Sequence, residues 1–98
     1  MKKGALRSAE LPVVGDMMAV AKLVRSARLA HGLTRDELAS STGLSPKFIS
    51  HVEGGKATAQ SGKVLQLLAE LGITLHAHVA VDIPERLMQQ AMKRRRWP

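Results

Sequence analysis

The chain has 98 residues and a net charge of +7, from 15 Lys and Arg against eight Asp and Glu. A chain of this length forms one small domain, and with Phe48 and Trp97 as its only aromatic residues we expect no enzyme, no cofactor and no small-molecule ligand. The absence of Cys excludes disulfides and thiolate metal sites, whereas the excess of positive charge favours a polyanionic partner, with nucleic acid the first candidate.

The first two helices are predicted from periodicity and capping residues. We expect residues 1–16 to form a flexible N-terminal arm. Apolar residues then recur at helical spacing from Met17 to Ala30, with Asp16 at the N-cap. Thr34 begins a Thr-Arg-Asp-Glu capping box, which predicts a second, short helix that Gly43 closes.

Two further helices follow. Ser45 and Pro46 are a typical N-cap and first residue of a third helix, whose apolar side consists of Phe48, Ile49 and Val52. Ser61 is placed to cap a fourth helix, which ends at Gly72. We therefore predict a mainly α-helical domain of four to five helices, with its helical part over residues 17–72.

The period changes from helical to alternating after Gly72, which predicts a β-strand over residues 73–81. A lone strand leaves its backbone donors and acceptors unpaired, so we expect a second copy to supply the partner strand across a two-fold axis of a homodimer. Residues 82–98 are expected to form a short helix and a basic tail. The apolar face of the dimerisation strand would consist of Ile73, Leu75, Ala77, Val79 and Val81.

The second and third helices, with a Gly-containing turn between them, have the organisation of a helix-turn-helix motif. The start of the second helix of such a motif enters the major groove of DNA, where each base pair presents a distinct set of donors and acceptors. Polar side chains occupy these positions here, so we predict a DNA-binding function. They are Ser45, Lys47, Ser50 and His51.

This part of the chain resembles the Xre/Cro-type helix-turn-helix repressors. The resemblance implies that Pro46 joins the four base-reading residues, that Thr34, Arg35 and Lys56 contact phosphate, and that Arg28 and Glu53 form a structural ion pair. Arg35 stands where Gln is common in that family, and Pro46 where a polar reader is common. The matching stretches are Leu23-Val24-Arg25 with Arg28, Gly-Leu-Thr-Arg-Asp-Glu-Leu-Ala (32–39), Gly-Leu-Ser (43–45), Phe-Ile-Ser (48–50) and Glu53-Gly54-Gly55-Lys56.

A helix-turn-helix followed by a helix ending in Leu-Gly and an alternating strand resembles, more narrowly, the HipB-like antitoxins. That resemblance implies an autorepressor that binds a palindromic operator in double-stranded DNA and neutralises a HipA-like serine/threonine kinase toxin. Trp97, which follows the basic run Lys93–Arg96, is our candidate contact for the toxin. Two alternatives stay open: a free-standing Xre-family repressor without a toxin partner, and a protein-interaction adaptor that uses the same fold.

Other kinds of site are not predicted. His76 and His78 share one face of the predicted strand, but no carboxylate or third His lies near them in the sequence, so we expect no metal site. No catalytic grouping is recognised. No apolar run approaches the roughly 18–20 residues of a membrane span, and no targeting peptide is recognised, so we expect a cytoplasmic protein that does not associate with membranes.

Overall fold

Five α-helices form the regular structure of residues 11–93, the part of the chain that the computed structural model describes. The mainly helical helix-turn-helix fold predicted from the sequence is confirmed. Residues 1–10 of the predicted arm, residues 94–96 of the basic run and Trp97 lie outside the described residues. The helices are α1 (Met17–Ala30), α2 (Arg35–Thr42), α3 (Pro46–Glu53), α4 (Ser61–Glu70) and α5 (Glu85–Met92).

The predicted caps of α1 and α2 are confirmed. The Asp16 carboxylate accepts a hydrogen bond from the Ala19 backbone N at 3.0 Å. The Thr34 hydroxyl accepts from the Glu37 backbone N at 3.0 Å, and the Glu37 carboxylate accepts from the Thr34 backbone N at 2.8 Å. Side-chain caps of this kind stabilise a helix by about 1 kcal/mol each, so short local sequences fix where these helices begin.

The starts of α3 and α4 differ. Ser45 caps α3 as predicted, because its hydroxyl accepts from the Phe48 backbone N at 3.0 Å. The prediction for Ser61 is wrong: Gln60 is the N-cap residue of α4, it makes no side-chain cap bond, and Ser61 is the first helical residue. The burial of Val64, Leu67 and Leu68 against the core therefore holds α4 in place without a cap.

One hydrophobic core joins α1, α2, α3 and α4. Its most enclosed side chains are those of Val24, Ile49, Val52 and Leu67, each 0% exposed. Burial of such side chains stabilises a fold by about 1.5–3 kcal/mol each, so the core fixes one face of α3 and leaves the opposite face in solvent. The cluster consists of Val20, Val24, Leu38, Ala39, Leu44, Ile49, Val52, Val64, Leu67, Leu68 and Leu71.

Glycines make the two turns that flank α3. Gly43 ends α2 with a φ of 77°, a left-handed conformation, and its backbone N donates to the Ala39 carbonyl at 2.9 Å. Gly55 follows α3 with the same φ, and a Cβ atom there would collide with the Met18 side chain of α1. Both positions therefore favour Gly, and Gly55 also permits the close approach of α1 to the end of α3.

The strand predicted over residues 73–81 is not formed: these residues have no regular secondary structure. Ile73 closes the helical body (residues 17–73), since its backbone N donates to the Leu68 carbonyl at 2.8 Å and its side chain packs on the core. Beyond it, Leu75, Ala77, Val79 and Val81 are all exposed. No segment of residues 11–93 forms a strand, so this segment has no partner for a β-ladder among the described residues.

Candidate DNA interface

The motif that carries the candidate interface consists of α2, the turn of residues 43–45 and α3. Leu38 and Ala39 of α2 and Ile49 and Val52 of α3 are buried together, and α3 also packs against α1. The angle of α3 to the body is therefore set by core packing on both neighbours, and its opposite face is free to approach a duplex.

The five predicted base-reading residues lie at the start of α3. Ser45, Pro46, Lys47 and Ser50 are exposed, and His51 is half-buried. The Ser45 hydroxyl oxygen accepts the cap bond, which leaves its hydrogen available to an external acceptor. Pro46 has no N–H and occupies the first helical position, where none is needed. Among these five residues, Lys47 supplies the ammonium group, the two serines supply hydroxyls and His51 supplies an imidazole.

The three predicted phosphate-contacting residues lie at both ends of the motif. Thr34 caps α2 and is exposed, and Lys56 is exposed in the turn after α3. Arg35, the first residue of α2, is not free: its Nε donates to Glu53 Oε1 at 3.0 Å, while 46% of its side chain stays exposed. The structure therefore leaves Lys56 available to an anion and holds the Arg35 guanidinium in one place.

Arg28 and Glu53 form the ion pair that the sequence predicted. Arg28 Nε and Nη2 donate to the two carboxylate oxygens of Glu53 at 2.6 and 3.0 Å, and Nη1 donates to the Leu33 carbonyl at 2.8 Å. The side chains are 9% and 1% exposed. This bidentate pair ties the end of α3 to α1 and to the loop before α2.

Electrostatics keep both members of this pair charged. Burial by itself would raise the pKa of Glu53, but the hydrogen bonds and positive charges of Arg28 and Arg35 outweigh burial and lower it below its ordinary value. The hydrogen bond with Glu53 raises the pKa of Arg28. Glu53 is thus an anion shared by two arginines at the base of the candidate interface.

Comparison with known proteins identifies the motif. A family model described as a helix-turn-helix domain matches residues 21–91. The chain belongs to the helix-turn-helix domain family. Domains of this kind bind DNA through the second helix of the motif, which in this helix-turn-helix protein is α3.

A curated relative and several solved structures are similar to the chain. It is 46% identical over 56 residues to an uncharacterised HTH-type transcriptional regulator, y4mF, of Sinorhizobium fredii strain NGR234; the match covers 57% of this chain and 74% of that protein. The fold is similar to chains in a HipB–O4 20mer complex, at 20% identity, and in a HipA–HipB–O2–O3 complex, at 18% identity. Each covers 72% of this chain and 100% of the other, with a TM-score of 0.64. At these identities the two structures show a shared fold.

The link between Arg35 and Glu53 was missed by sequence reasoning. The two residues are 18 positions apart and lie in different helices, so no periodicity within one element relates them. A weak signal was present, because a cation at the N-terminus of a helix opposes the helix dipole. Such a residue indicates a carboxylate nearby in space, and here Glu53 fills that role.

One further side-chain contact joins two helices of the body. His31 Nε2 donates to the Leu71 carbonyl at 3.1 Å, which joins the ends of α1 and α4. Among residues 11–93 of a single chain, no three metal-ligating side chains come together. No helix in that range is both long and apolar enough to cross a membrane.

Proposed function

We propose that this helix-turn-helix protein is a dimeric transcriptional repressor that reads a palindromic operator with α3 and serves as the antitoxin of a HipBA-like toxin–antitoxin pair. The observation that carries DNA reading is the division of α3 into two faces. Ile49 and Val52 are buried, whereas Lys47 and Ser50 are exposed beside the cap residue Ser45. A helix held in this way presents its first turn to base edges.

The dimer is supported by the apolar residues after the body. Leu75, Val79 and Val81 are 43, 53 and 68% exposed, and an open groove of about 440 Å³ lies between Leu65 of α4 and Leu75. Pairing of the predicted strands from two copies would satisfy the backbone and cover part of this surface. The two α3 helices would then read half-sites about 34–36 Å apart, or a multiple of that distance.

The proposed antitoxin role is supported by the similarity of this chain to HipB. The similar HipB chains come from structures of complexes with a 20mer and with HipA, and the sequence after the motif resembles the HipB-like antitoxins. A HipA-like serine/threonine kinase toxin is therefore the proposed protein partner. Trp97, the predicted contact for the toxin, is the residue to test.

DNA reading is tested by measuring dissociation constants for the chain's own promoter and for random DNA over a range of salt concentrations. If Lys47 reads a base, Lys47→Ala weakens promoter binding by about 1–3 kcal/mol and leaves random DNA nearly unaffected. If Lys56 meets phosphate, Lys56→Ala weakens both DNAs alike and reduces the salt slope by about one unit. Equal affinity of the unaltered protein for both DNAs would contradict sequence-specific repression and favour the adaptor.

The antitoxin role is tested separately, by co-expression with the protein that the neighbouring reading frame encodes, which the proposal expects to be a HipA-like kinase. The full chain should co-purify with the kinase and suppress its activity, and Trp97→Ala should weaken that complex without changing operator affinity. Operator binding without any kinase complex would contradict the antitoxin role and identify a free-standing repressor.

A further inference from the structure

Two histidines, His76 and His78, lie in the segment that the proposed dimer pairs. Both are exposed, and neither ring takes part in a hydrogen bond within residues 11–93. Because side chains two residues apart in a strand point to the same face, pairing would place both imidazoles on one face and Leu75, Ala77 and Val79 on the other. The histidine face would stay in solvent while the apolar face covers the groove beside α4.

The alternation of apolar residues restricts the register in which two copies of this segment can pair. Two identical antiparallel strands keep apolar residues opposite apolar residues only when the two-fold axis passes through a residue, not between two residues. Pairing residues 73–81 over their full length places that axis at Ala77. His76 then lies directly opposite the partner's His78, and His78 lies opposite the partner's His76.

The four imidazoles would form a compact cluster. Directly opposite Cβ atoms in an antiparallel pair are about 4.5–5.5 Å apart, and residues two apart along a strand are separated by about 7 Å. Four rings rising from a patch of that size can converge on one ion at the Zn–N distance of about 2.0–2.1 Å. One chain supplies only two of these rings, too few for the metal site that the sequence of a single chain was expected to lack. The dimer supplies all four.

We infer that the dimer binds one zinc ion between His76 and His78 of the two chains. This inference rests on the dimer of the proposed function and adds a ligand that links its two copies. Imidazole is a favourable ligand for Zn²⁺. Since the complete ligand set exists only in the dimer, zinc stabilises that state: free zinc at about ten times its dissociation constant lowers the dimer dissociation constant about tenfold.

The test titrates Zn²⁺ into the full-length chain without a polyhistidine tag, at pH 7.5, with a chromophoric chelator as competitor. We expect saturation at one ion per two chains. His76→Ala and His78→Ala should each abolish this binding, because one substitution removes two of the four ligands. The matched control His31→Gln, which changes an exposed histidine of the helical body, should keep the stoichiometry.

Sedimentation with and without zinc separates the inference from the proposed function. A dimer that binds no zinc, or that binds it unchanged in His76→Ala, overturns the zinc site and leaves the DNA-binding dimer standing. A chain that stays monomeric in both conditions overturns the site and the dimer together. Saturation at one ion per chain overturns the shared site, whereas zinc-dependent tightening of the dimer that disappears in His78→Ala supports it.

Discussion

The helical body buries most of its large apolar side chains, whereas the C-terminal segment (residues 74–93) leaves its own exposed. In the body, Val24, Ile49 and Leu67 are fully enclosed by their own chain. In the C-terminal segment, Val81 and Met92 are 68 and 75% exposed, and α5 has no buried residue. The apolar residues of the body are therefore mostly covered within one chain, whereas those of the segment are left exposed.

The proposed DNA-binding dimer would give these two regions different roles. The body sets the tilt and exposure of α3 through its core and through the ion pair at Glu53. The segment would set how two copies of α3 are spaced. Substitutions should therefore act differently in the two regions, with effects that are independent of protein concentration in the body and dependent on it in the segment.

The largest expected effect on the body is that of Glu53→Ala. This substitution leaves the buried Arg28 guanidinium without its anion, so the free energy of unfolding should fall by about 3–5 kcal/mol in urea denaturation. The double variant Arg28→Met with Glu53→Leu should lose less, because no charge is left buried. An equal loss in the two variants would contradict an electrostatic origin.

The ion pair between Arg28 and Glu53 should also make the free energy of unfolding depend on pH. Because the pKa of Glu53 is lowered in the folded state, its contribution is fully present above the unfolded value of about 4.3 and is lost as pH falls through the folded value. Unfolding measured between pH 7 and pH 3 should therefore show a smaller acid loss in Glu53→Gln than in the unaltered chain. A parallel decline would mean that other carboxylates cause the acid loss.

The next prediction compares one substitution in the body with one in the C-terminal segment. Leu67→Ala removes a fully enclosed side chain of α4 and should cost about 2–5 kcal/mol at any protein concentration. Val79→Ala changes a half-exposed side chain of the segment, and its effect should appear as a weaker dimer in sedimentation, with the helical content of each chain unchanged. Loss of helical content in Val79→Ala would place Val79 in the core of its own chain.

A smaller effect is expected at the turns that flank α3. Gly55→Ala should cost about 1–2 kcal/mol for the left-handed backbone, and more because its Cβ displaces the Met18 side chain. Gly43→Ala is the matched control, since it has the same φ and nothing within 4 Å of the new atom. Equal melting temperatures for the two variants would contradict the proposed contact between α1 and the end of α3.

The smallest effect on stability is expected for Arg35→Ala. Nearly half of the Arg35 side chain is exposed, so its ion pair with Glu53 should contribute only about 0.2–1 kcal/mol. If Arg35 also contacts phosphate, the salt slope of DNA binding should fall by about one unit. A large loss of stability with an unchanged salt slope would make Arg35 structural alone.

Much of the body could be predicted from the sequence, because its signals are local. Asp16, Thr34 and Ser45 each cap a helix within three residues, and Gly43 marks a turn by its backbone requirement. The buried face of α3 also follows from helical period. The prediction of a Ser61 cap was wrong because burial of the leucines of α4, and not a local cap, positions that helix.

The remaining features depend on partners that are distant or outside the chain. Nothing in the spacing of Arg35 and Glu53 indicates that they meet, since the folding of α1, α2 and α3 brings them together. The alternating pattern after Gly72 predicts a strand, but a strand requires a ladder partner, and none forms among residues 11–93. The alternating pattern alone therefore does not decide whether the strand forms.

The most direct test of the account uses the absence of Cys, because one introduced Cys reports how two copies pair. Under mild oxidation, Ala77→Cys should form a covalent dimer that still binds the promoter, since the two Cys lie opposite each other within disulfide reach. Val79→Cys should stay uncrosslinked, because its copies would lie about 13 Å apart along the strands. Cross-linking of Val79→Cys in place of Ala77→Cys, or of neither, would contradict pairing of the two copies about Ala77.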